Sequence, residues 1–193
     1  MSEIRTVAVF CGSRPGSSPA FRASAAALGH GLATAGRRLV FGGGRVGLMG
    51  ALADAALAAG GHVIGVIPEF LTRWEIAHDG VSELIVTADM HTRKRRMFEL
   101  ADAFVTLPGG LGTLDETIEI LTWRQLALHD KPILFCDVAG SAAPLVGAID
   151  AAIGWDFAPA EARGLYEVAD GVAAVLQRLA QLAAAPGGAP ALT

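Results

Sequence analysis

The sequence contains few charged residues and little cysteine, and it has no long uninterrupted apolar run. Of its 193 residues, 18% are charged, and the formal net charge is only −4. Proteins that bind nucleic acid without sequence preference carry a strong positive field, so we expect no nucleic-acid partner. No segment reaches the ~20 apolar residues of a membrane-spanning helix, and the N-terminus lacks a signal-peptide layout. We therefore expect no membrane partner and a cytoplasmic location.

The thiol and imidazole groups do not form a recognisable reactive or metal-binding pattern. Cys11 and Cys136 are the only cysteines, and each follows an apolar run, which indicates small buried structural thiols. A catalytic cysteine, the alternative, would need a partner base that the spacing does not supply. The five histidines, His91 and His129 among them, lack the spacing of metal ligands. We expect no metal site and interpret the histidines as surface or helix-end residues.

Short apolar runs rich in β-forming residues alternate with helical patterns along the chain. The predicted strands are Thr6 to Cys11, Arg38 to Phe41, His62 to Ile67, Glu83 to Thr87, Ala103 to Leu107 and Pro132 to Asp137. The predicted helices are Pro19 to Ala35, Val46 to Ala59, Asp89 to Ala101, Thr113 to His129 and Ser141 to Ile153. The alternation predicts an α/β fold, a Rossmann-like doubly wound parallel sheet with helices on both faces.

The two ends of this pattern set the expected limits of the domain. A late strand over Gly164 to Val168 and a closing helix over Gly171 to Ala184 complete the alternation. Periodicity is then lost, so we expect one domain over residues 1–184 and a disordered tail over 185–193. The irregular segment from Glu69 to Gly80, which carries Trp74 and Glu75, is interpreted as a loop over the functional site.

Glycine-rich turns follow three of the predicted strands, over residues 11–16, 42–50 and 108–116. Ligands of a doubly wound sheet bind outside the carboxyl ends of its strands, and glycine lets the backbone approach an anion closely. One such turn is common in tight connections, but three together favour a nucleotide or sugar phosphate. We expect phosphate or turn support from Gly12, Ser13, Gly43 and Gly44.

One of these turns also permits a different interpretation, a dinucleotide-dependent oxidoreductase. Gly42, Gly44 and Gly47 match the pattern G-x-G-x-x-G, and Glu69 lies at a distance suited to a ribose hydroxyl. The match follows the second strand instead of the first, and no hydride-transfer histidine or substrate domain accompanies it. Both observations count against an oxidoreductase.

The turn at Pro108 to Glu116 is the most informative segment, because it combines a glycine-rich phosphate cradle with a carboxylate. The N–H groups and the positive dipole end of the following helix favour an anion there. The same residues leave an alternative open, since Thr113 and Glu116 also satisfy the capping-box pattern of a helix start. Asp115 is interpreted as a first-turn charge, and Glu119 as an exposed helix position.

The basic run Met90 to Arg96 begins a helix, where the dipole disfavours cations. At 100° per residue the four cations cannot share one face. We expect one or two of them to point into the cleft and the rest to be solvated, and Arg93 and Lys94, which lie nearest the strand end, are the candidates. A fully solvated basic face is the alternative.

The segments Pro108-Gly109-Gly110-x-Gly112-Thr113-x-x-Glu116 and Met90-His91-x-Arg93-Lys94 together resemble the Lonely Guy (LOG) family. The resemblance implies hydrolysis of the N-glycosidic bond of an adenine-type (cytokinin) nucleoside 5'-monophosphate, which yields the free base and ribose 5-phosphate. It also implies a homodimer and no cofactor. Relatives are often described as lysine decarboxylases, but that chemistry usually needs a cofactor-bearing lysine and a larger scaffold, and only Lys94 and Lys131 are present.

The resemblance also implies roles for individual residues. Arg93 and Glu116 correspond to the family's essential arginine and glutamate and are the expected catalytic residues. Met90 is expected to support the phosphate site or its turn. The expected substrate contacts are Glu75, Arg93, Lys94, Gly109, Gly110, Leu111, Gly112, Thr113, Leu114, Asp115, Glu116 and Thr122.

Cleavage of a ribosyl C–N bond builds positive charge on the sugar, which Glu116 can stabilise, attack or relieve by orienting water. The cradle is expected to anchor the phosphate, with Arg93 near the phosphate or ribose. A noncatalytic nucleotide-binding or carrier module of the same fold remains the main alternative. Trp123 and Leu126 are candidates for an apolar dimer surface, although core packing explains them equally well.

Overall fold

Seven parallel strands form one sheet, in the order β4-β3-β2-β1-β5-β6-β7, in the computed structural model, which describes residues 4–72 and 77–184. The strands are β1 Thr6–Phe10, β2 Arg38–Phe41, β3 Val63–Pro68, β4 Glu83–Thr87, β5 Ala103–Thr106, β6 Ile133–Asp137 and β7 Glu167–Asp170. The helices are α1 Pro19–Thr34, α2 Gly47–Ala58, α3 Met90–Leu100, α4 Leu111–Gln125, α5 Ala143–Gly154 and α6 Gly171–Ala184. The predicted Rossmann-like α/β fold is confirmed.

The central strand β1 explains why the sheet has two cores. Val7 and Val9 project into the core beneath α1, α2 and α6, whereas Ala8 and Phe10 project into the core beneath α3, α4 and α5. Because side chains alternate between the two faces of a strand, a strand with apolar residues at every position must be covered on both sides. The continuous apolar runs of the sequence therefore have a direct structural reason.

Three predicted elements differ from those observed by more than a residue at an end. Helix α5 begins at Ala143, two residues after the predicted start at Ser141. Helix α4 begins at Leu111 and ends at Gln125, because Gly110 is its N-cap and Ala127 adopts a left-handed backbone with φ of 56°. The late strand is Glu167–Asp170 instead of Gly164 to Val168, because residues 160–165 form a 3₁₀ helix. The predicted tail, residues 185–193, lies outside the described residues.

The cysteine interpretation agrees with the structure, and the histidine interpretation is wrong at one position. Cys11 and Cys136 are both buried. His78, however, is only 4% exposed, and its Nε2 lies 3.0 Å from Asp54 Oδ1. The N–H of Gly80 donates to His78 Nδ1, so Nε2 carries the proton of the neutral ring and donates to Asp54. Within the described ranges, no helix is long and apolar enough to cross a membrane.

Candidate functional site

A cleft of about 680 Å³ opens at the carboxyl ends of the strands, around the end of β1. From β1 the sheet continues to β2 on one side and to β5 on the other. The connections on the two sides of such a switch point diverge and leave a crevice between them. The N–H of Gly12 after β1 donates to the carbonyl oxygen of Pro108 after β5 at 3.1 Å, which fixes the floor of the cleft.

The turn after β5 presents the N-terminus of α4 to this cleft. Gly110 is the N-cap and has no side chain, so side-chain capping does not occupy the first N–H groups of the helix. A Cβ on Gly109 would lie 2.0 Å from Thr113 Oγ1, so only glycine allows the turn to fold back onto α4. By contrast, a Cβ on Gly110 or Gly112 would meet no atom within 4 Å. The turn therefore combines free backbone donors with open space, as an anion site requires.

A buried ion pair joins the two helices on either side of the cleft. Arg93 Nη1 lies 3.0 Å from Glu116 Oε1, and each residue is only 7% exposed. Arg93 Nε also donates to the carbonyl oxygen of Val66 at 3.0 Å, and Nη2 lies 3.5 Å from that of Gly42. These bonds hold the guanidinium between β2, β3 and α4. Both side chains line the cleft. Because Arg93 is itself fixed by Val66 and Gly42, its contact holds the Glu116 carboxylate in one orientation beside the glycine turn.

The start of α4 decides between the two interpretations of Thr113 and Glu116. A capping box would need Thr113 at the N-cap, but α4 begins at Leu111, which makes Thr113 the third residue of the helix. Thr113 instead packs beneath Gly109. The capping-box alternative is therefore wrong, because the helix starts at the glycine turn and not after it.

The basic run on α3 divides into an inner and an exposed pair, since Arg95 and Arg96 are exposed and lie near Glu99. Arg93 lines the cleft as expected, whereas Lys94 packs between α3 and α4, so the expectation that it points into the cleft is wrong. The unfavourable helix dipole is offset at the start of α3, where the Asp89 side chain accepts from the N–H of Thr92. This hydrogen bond lowers the pKa of Asp89 below its usual value.

Lys94 does not line the cleft. Its Nζ lies 3.2 Å from Asp115 Oδ2 and 3.1 Å from Glu119 Oε1, so it ties α3 to the outer side of α4. Burial lowers the pKa of Lys94, but the hydrogen bonds and charges of these two carboxylates outweigh burial and raise it overall. Glu119 is accordingly half-buried and ion-paired, and the expectation that it is an exposed helix position is wrong.

Neither lysine of the chain reaches the cleft. Lys131 Nζ donates to the carbonyl oxygen of Phe98 and lies 4.0 Å from the centre of the Phe98 ring. Burial lowers its pKa. Chemistry that needs a cofactor-bearing lysine in this cleft therefore has no residue to carry it.

The glycine turn after β2 packs against other elements of the site instead of forming a dinucleotide cradle. A Cβ on Gly42 would lie 2.3 Å from Arg93 Nη2, and a Cβ on Gly47 would lie 2.3 Å from the carbonyl carbon of Ser13. Gly47 also adopts a φ of +65°. These glycines are needed for close packing, and Glu69 is exposed in a 3₁₀ helix away from the cleft. The geometry thus removes the support for a dinucleotide site.

The structure brings many of the residues expected from the sequence into the cleft lining. Those that line it are Gly12, Ser13, Arg93, Gly109, Gly110, Leu111, Gly112, Thr113 and Glu116. The expected residues that are described and lie outside the lining are Gly43, Gly44, Met90, Lys94, Leu114, Asp115 and Thr122. Glu75 and Trp74 lie outside the described residues.

Several residues of the lining were not singled out as site residues from the sequence. They are chiefly Arg14, Gly42, Met49 and Ser141. Arg14 and Gly42 lie in glycine turns already noted, and Ser141 follows the end of β6. For Arg14, Gly42 and Ser141 the position after a strand was the available signal, and it needed the strand order to become specific. Met49 lies inside α2.

The fold and the cleft define a Rossmann-like α/β protein with a glycine turn suited to an anion and a buried arginine–carboxylate pair at its switch point. A family model described as "Possible lysine decarboxylase" matches residues 49–179. The cytokinin riboside 5'-monophosphate phosphoribohydrolase of Rhodococcoides fascians is 49% identical over 147 residues, which cover 76% of this chain and 74% of that protein. A probable cytokinin riboside 5'-monophosphate phosphoribohydrolase of Oryza sativa subsp. japonica is 41% identical over 181 residues, covering 94% and 79%.

Among solved structures, the Moco carrier protein of Chlamydomonas reinhardtii is similar with a TM-score of 0.70 at 26% identity, over 93% of this chain and 97% of that one. The chain belongs to the Lonely Guy family of cytokinin riboside 5'-monophosphate phosphoribohydrolases, as the two sequence motifs indicate.

Proposed function

We propose that this protein hydrolyses the N-glycosidic bond of adenine-type nucleoside 5'-monophosphates, with cytokinin nucleotides as the substrate class. The observation that carries the proposal is the buried Arg93–Glu116 pair, which faces the same cleft as the glycine turn at the N-terminus of α4. The names of the relatives from Rhodococcoides fascians and rice support the substrate class. A cleft of about 680 Å³ has room for a nucleoside monophosphate.

The 5'-phosphate binds at the Gly109–Thr113 turn in this proposal. A helix N-terminus offers backbone N–H donors and a positive dipole end, which suit a dianion. The open space beside Gly110 and Gly112 lets phosphate oxygens approach the backbone. The ribose then extends from the turn toward Glu116, which lies one helical turn further along the cleft side of α4.

Glu116 acts on the ribose as the bond to the base breaks. The C1'–N bond leaves its electron pair on the base nitrogen, and positive charge develops at C1' and the ring oxygen. A fixed carboxylate stabilises that charge without having to reorganise. One water molecule is consumed: its oxygen bonds to C1', and its two protons end on the new sugar hydroxyl and, after transfer, on the departing base.

Two routes through Glu116 use the same residues. In one, Glu116 attacks C1' and water then hydrolyses the ribosyl ester; in the other, Glu116 orients the water that attacks directly. Neither route consumes anything besides substrate and water, so the proposed reaction needs no cofactor.

Arg93 acts in this proposal chiefly by holding Glu116. The contacts of its guanidinium with Val66, Gly42 and Glu116 restrict it from several directions. A charged pair fixed by such bonds is pre-organised before substrate arrives.

We also infer a homodimer formed through the outer face of α4. Leu111, Leu114 and Ile118 are 85%, 39% and 43% exposed, and they follow one another at helical spacing from the rim of the cleft. Leu126 continues the apolar surface at 63% exposure. Trp123, the other residue expected there, is half-buried and packs edge-on against Phe98. The family resemblance implies a homodimer, and we assign this face of α4 to it.

The cytoplasmic location stays a prediction from the sequence.

A noncatalytic carrier of the same fold is the second candidate function. The similarity to a solved Moco carrier protein favours it, because that structure shares the fold over nearly the whole chain. A carrier needs a phosphate cradle, but it does not need a buried carboxylate fixed at the ribose position. The Arg93–Glu116 pair therefore favours the hydrolase.

The test is to incubate the purified protein with AMP and with an N6-prenylated AMP, and to follow the free base and ribose 5-phosphate by chromatography. Glu116→Gln is the matched variant, because it keeps the side-chain shape and removes the charge. The hydrolase predicts product release by the wild type and a loss of about 100-fold or more in kcat for the folded variant. Binding without product release in the wild type would favour the carrier.

A further inference from the structure

Among the described residues that line the cleft, Arg14 is the arginine whose guanidinium is not held by another protein group. It follows β1 in the turn that lines the cleft, and its side chain is exposed. Among the described residues, it forms no hydrogen bond or ion pair through its guanidinium.

Most charged side chains around the cleft are paired with a side chain of opposite charge. Arg93 is paired with Glu116 at 3.0 Å, so these two side chains together add no net charge. Lys94 points away and is paired with Asp115 and Glu119. Within the described lining of the cleft, Arg14 is then the side chain whose permanent positive charge is not balanced by a neighbour.

The backbone geometry brings Arg14 close to the phosphate cradle. A Cβ built on Gly12 would lie 3.2 Å from the carbonyl oxygen of Arg14 and 3.3 Å from the Cα of Gly109. Gly12 also donates its N–H to the carbonyl oxygen of Pro108. The turn that carries Arg14 and the turn that forms the cradle are therefore in direct contact, and a long arginine side chain spans the remaining distance easily.

We propose that Arg14 is a specificity-determining residue that recognises the 5'-phosphate of the substrate, opposite the N–H groups of α4. The proposal rests on the proposed function in taking a nucleoside monophosphate as the ligand. Arg93 is thereby reserved for holding Glu116, and Arg14 supplies the guanidinium that a phosphate dianion prefers. Arg14 and Arg93 thus have separate tasks, the first in phosphate recognition and the second in positioning the carboxylate.

The experiment compares Arg14→Gln and Arg14→Lys with Arg22→Gln. Arg22 is an exposed arginine on α1 outside the cleft lining and serves as the matched control. We expect Arg14→Gln to raise the KM for AMP about tenfold or more while kcat changes less than about threefold, since charge-assisted bonds account for at least a tenfold change in affinity. Arg14→Lys is expected to recover part of this loss, and Arg22→Gln to match the wild type.

Product inhibition separates phosphate recognition from other roles. Arg14→Gln should raise the inhibition constant of ribose 5-phosphate by about the same factor as the KM for AMP, and leave that of free adenine unchanged. An unchanged KM would overturn the proposal. An equal loss of adenine affinity, or a fall in kcat alone, would also overturn it, because each assigns Arg14 to a different part of the reaction.

Direct binding keeps this test independent of hydrolysis. If the wild type binds AMP in calorimetry without releasing base, the proposed function fails, but a weaker affinity of Arg14→Gln for AMP and ribose 5-phosphate would still support phosphate recognition. Equal affinities of wild type and Arg14→Gln would overturn it. Thermal unfolding of each variant confirms that the exposed substitution leaves the fold intact.

Discussion

Arg93 Nη1 on α3 contacts Glu116 Oε1 on α4 at 3.0 Å, and both side chains are almost completely buried. The pair bridges elements on the two sides of the switch point, since Arg93 also bonds to the ends of β2 and β3. Buried ion pairs add little net stability when intact but are costly to break singly. The cost of burial is therefore consistent with a functional role for the pair in fixing a carboxylate beside the phosphate cradle.

The first prediction concerns the free energy of unfolding. Arg93→Met should destabilise the protein by about 3–5 kcal/mol, because it leaves the buried Glu116 carboxylate without its Arg93 contact. The double variant Arg93→Met/Glu116→Gln should recover most of this loss, since the buried carboxylate is then replaced by an amide. Urea unfolding of the single and double variants measures the coupling. Strictly additive losses would show that the two side chains do not interact as the structure indicates.

The second prediction concerns Gly42. An alanine Cβ would lie 2.3 Å from Arg93 Nη2 and 2.9 Å from Met49 Sδ, so Gly42→Ala should displace the guanidinium and misplace Glu116. We expect kcat for base release to fall about 10-fold or more, because small errors in the position of a catalytic group are costly. Gly147→Ala on α5, where a Cβ meets nothing within 4 Å, is the control. A Gly42→Ala enzyme with normal kcat would contradict the positioning role of Arg93.

The third prediction separates ligand space from protein packing at Gly112. Its Cβ would meet no protein atom within 4 Å, and alanine is the better helix former, so Gly112→Ala should leave the protein at least as stable. If phosphate occupies the space, the same methyl group should raise the KM for AMP several-fold or more. Thermal unfolding and steady-state kinetics, again beside Gly147→Ala, distinguish the two effects. Unchanged kinetics would place the phosphate elsewhere.

The fourth prediction concerns pH. Burial, followed by the negative charges of Asp137 and Asp170, raises the pKa of the Cys136 thiol from 9.0 to about 11. Between these values the unfolded chain loses a proton that the folded protein keeps, so the stability contributed by Cys136 is complete below pH 9 and is lost as the pH rises toward 11. Melting temperatures from pH 8 to 11 should fall more steeply for the wild type than for Cys136→Ala. Parallel curves would contradict the raised pKa.

The fifth prediction concerns assembly. Light scattering at micromolar concentration should give twice the 19.8 kDa mass of one chain. Ile118→Asp places a charge on the exposed face of α4 and should yield a folded monomer, because an unpaired charge is poorly tolerated at an apolar interface. Val168→Asp, at a 49% exposed position on the edge strand β7, is the control. A monomeric wild type would end the dimer proposal.

The sequence by itself determined the fold class and the segments that meet at the cleft. Apolar runs alternating with helical patterns require a parallel sheet covered on both faces, and the carboxyl ends of such strands lie at one edge. Helical geometry also required the four successive cations of α3 to divide between faces, and nearness to the end of β4 singled out Arg93 correctly.

Only the tertiary structure decided what these residues contact. In the sequence, Glu116 fitted two roles, the glutamate of a capping box and a carboxylate of the functional site. The start of α4 at Leu111 excluded the capping box, and the contact with Arg93 placed the carboxylate in the site. Lys94 points toward Asp115 and Glu119 because of the way α3 packs on α4. Arg14 has an open position beside the cradle because of the way the β1–α1 turn packs against the turn after β5. Local patterns fix periodicity and helix ends, but contacts between distant segments depend on strand order and packing, which no local pattern encodes.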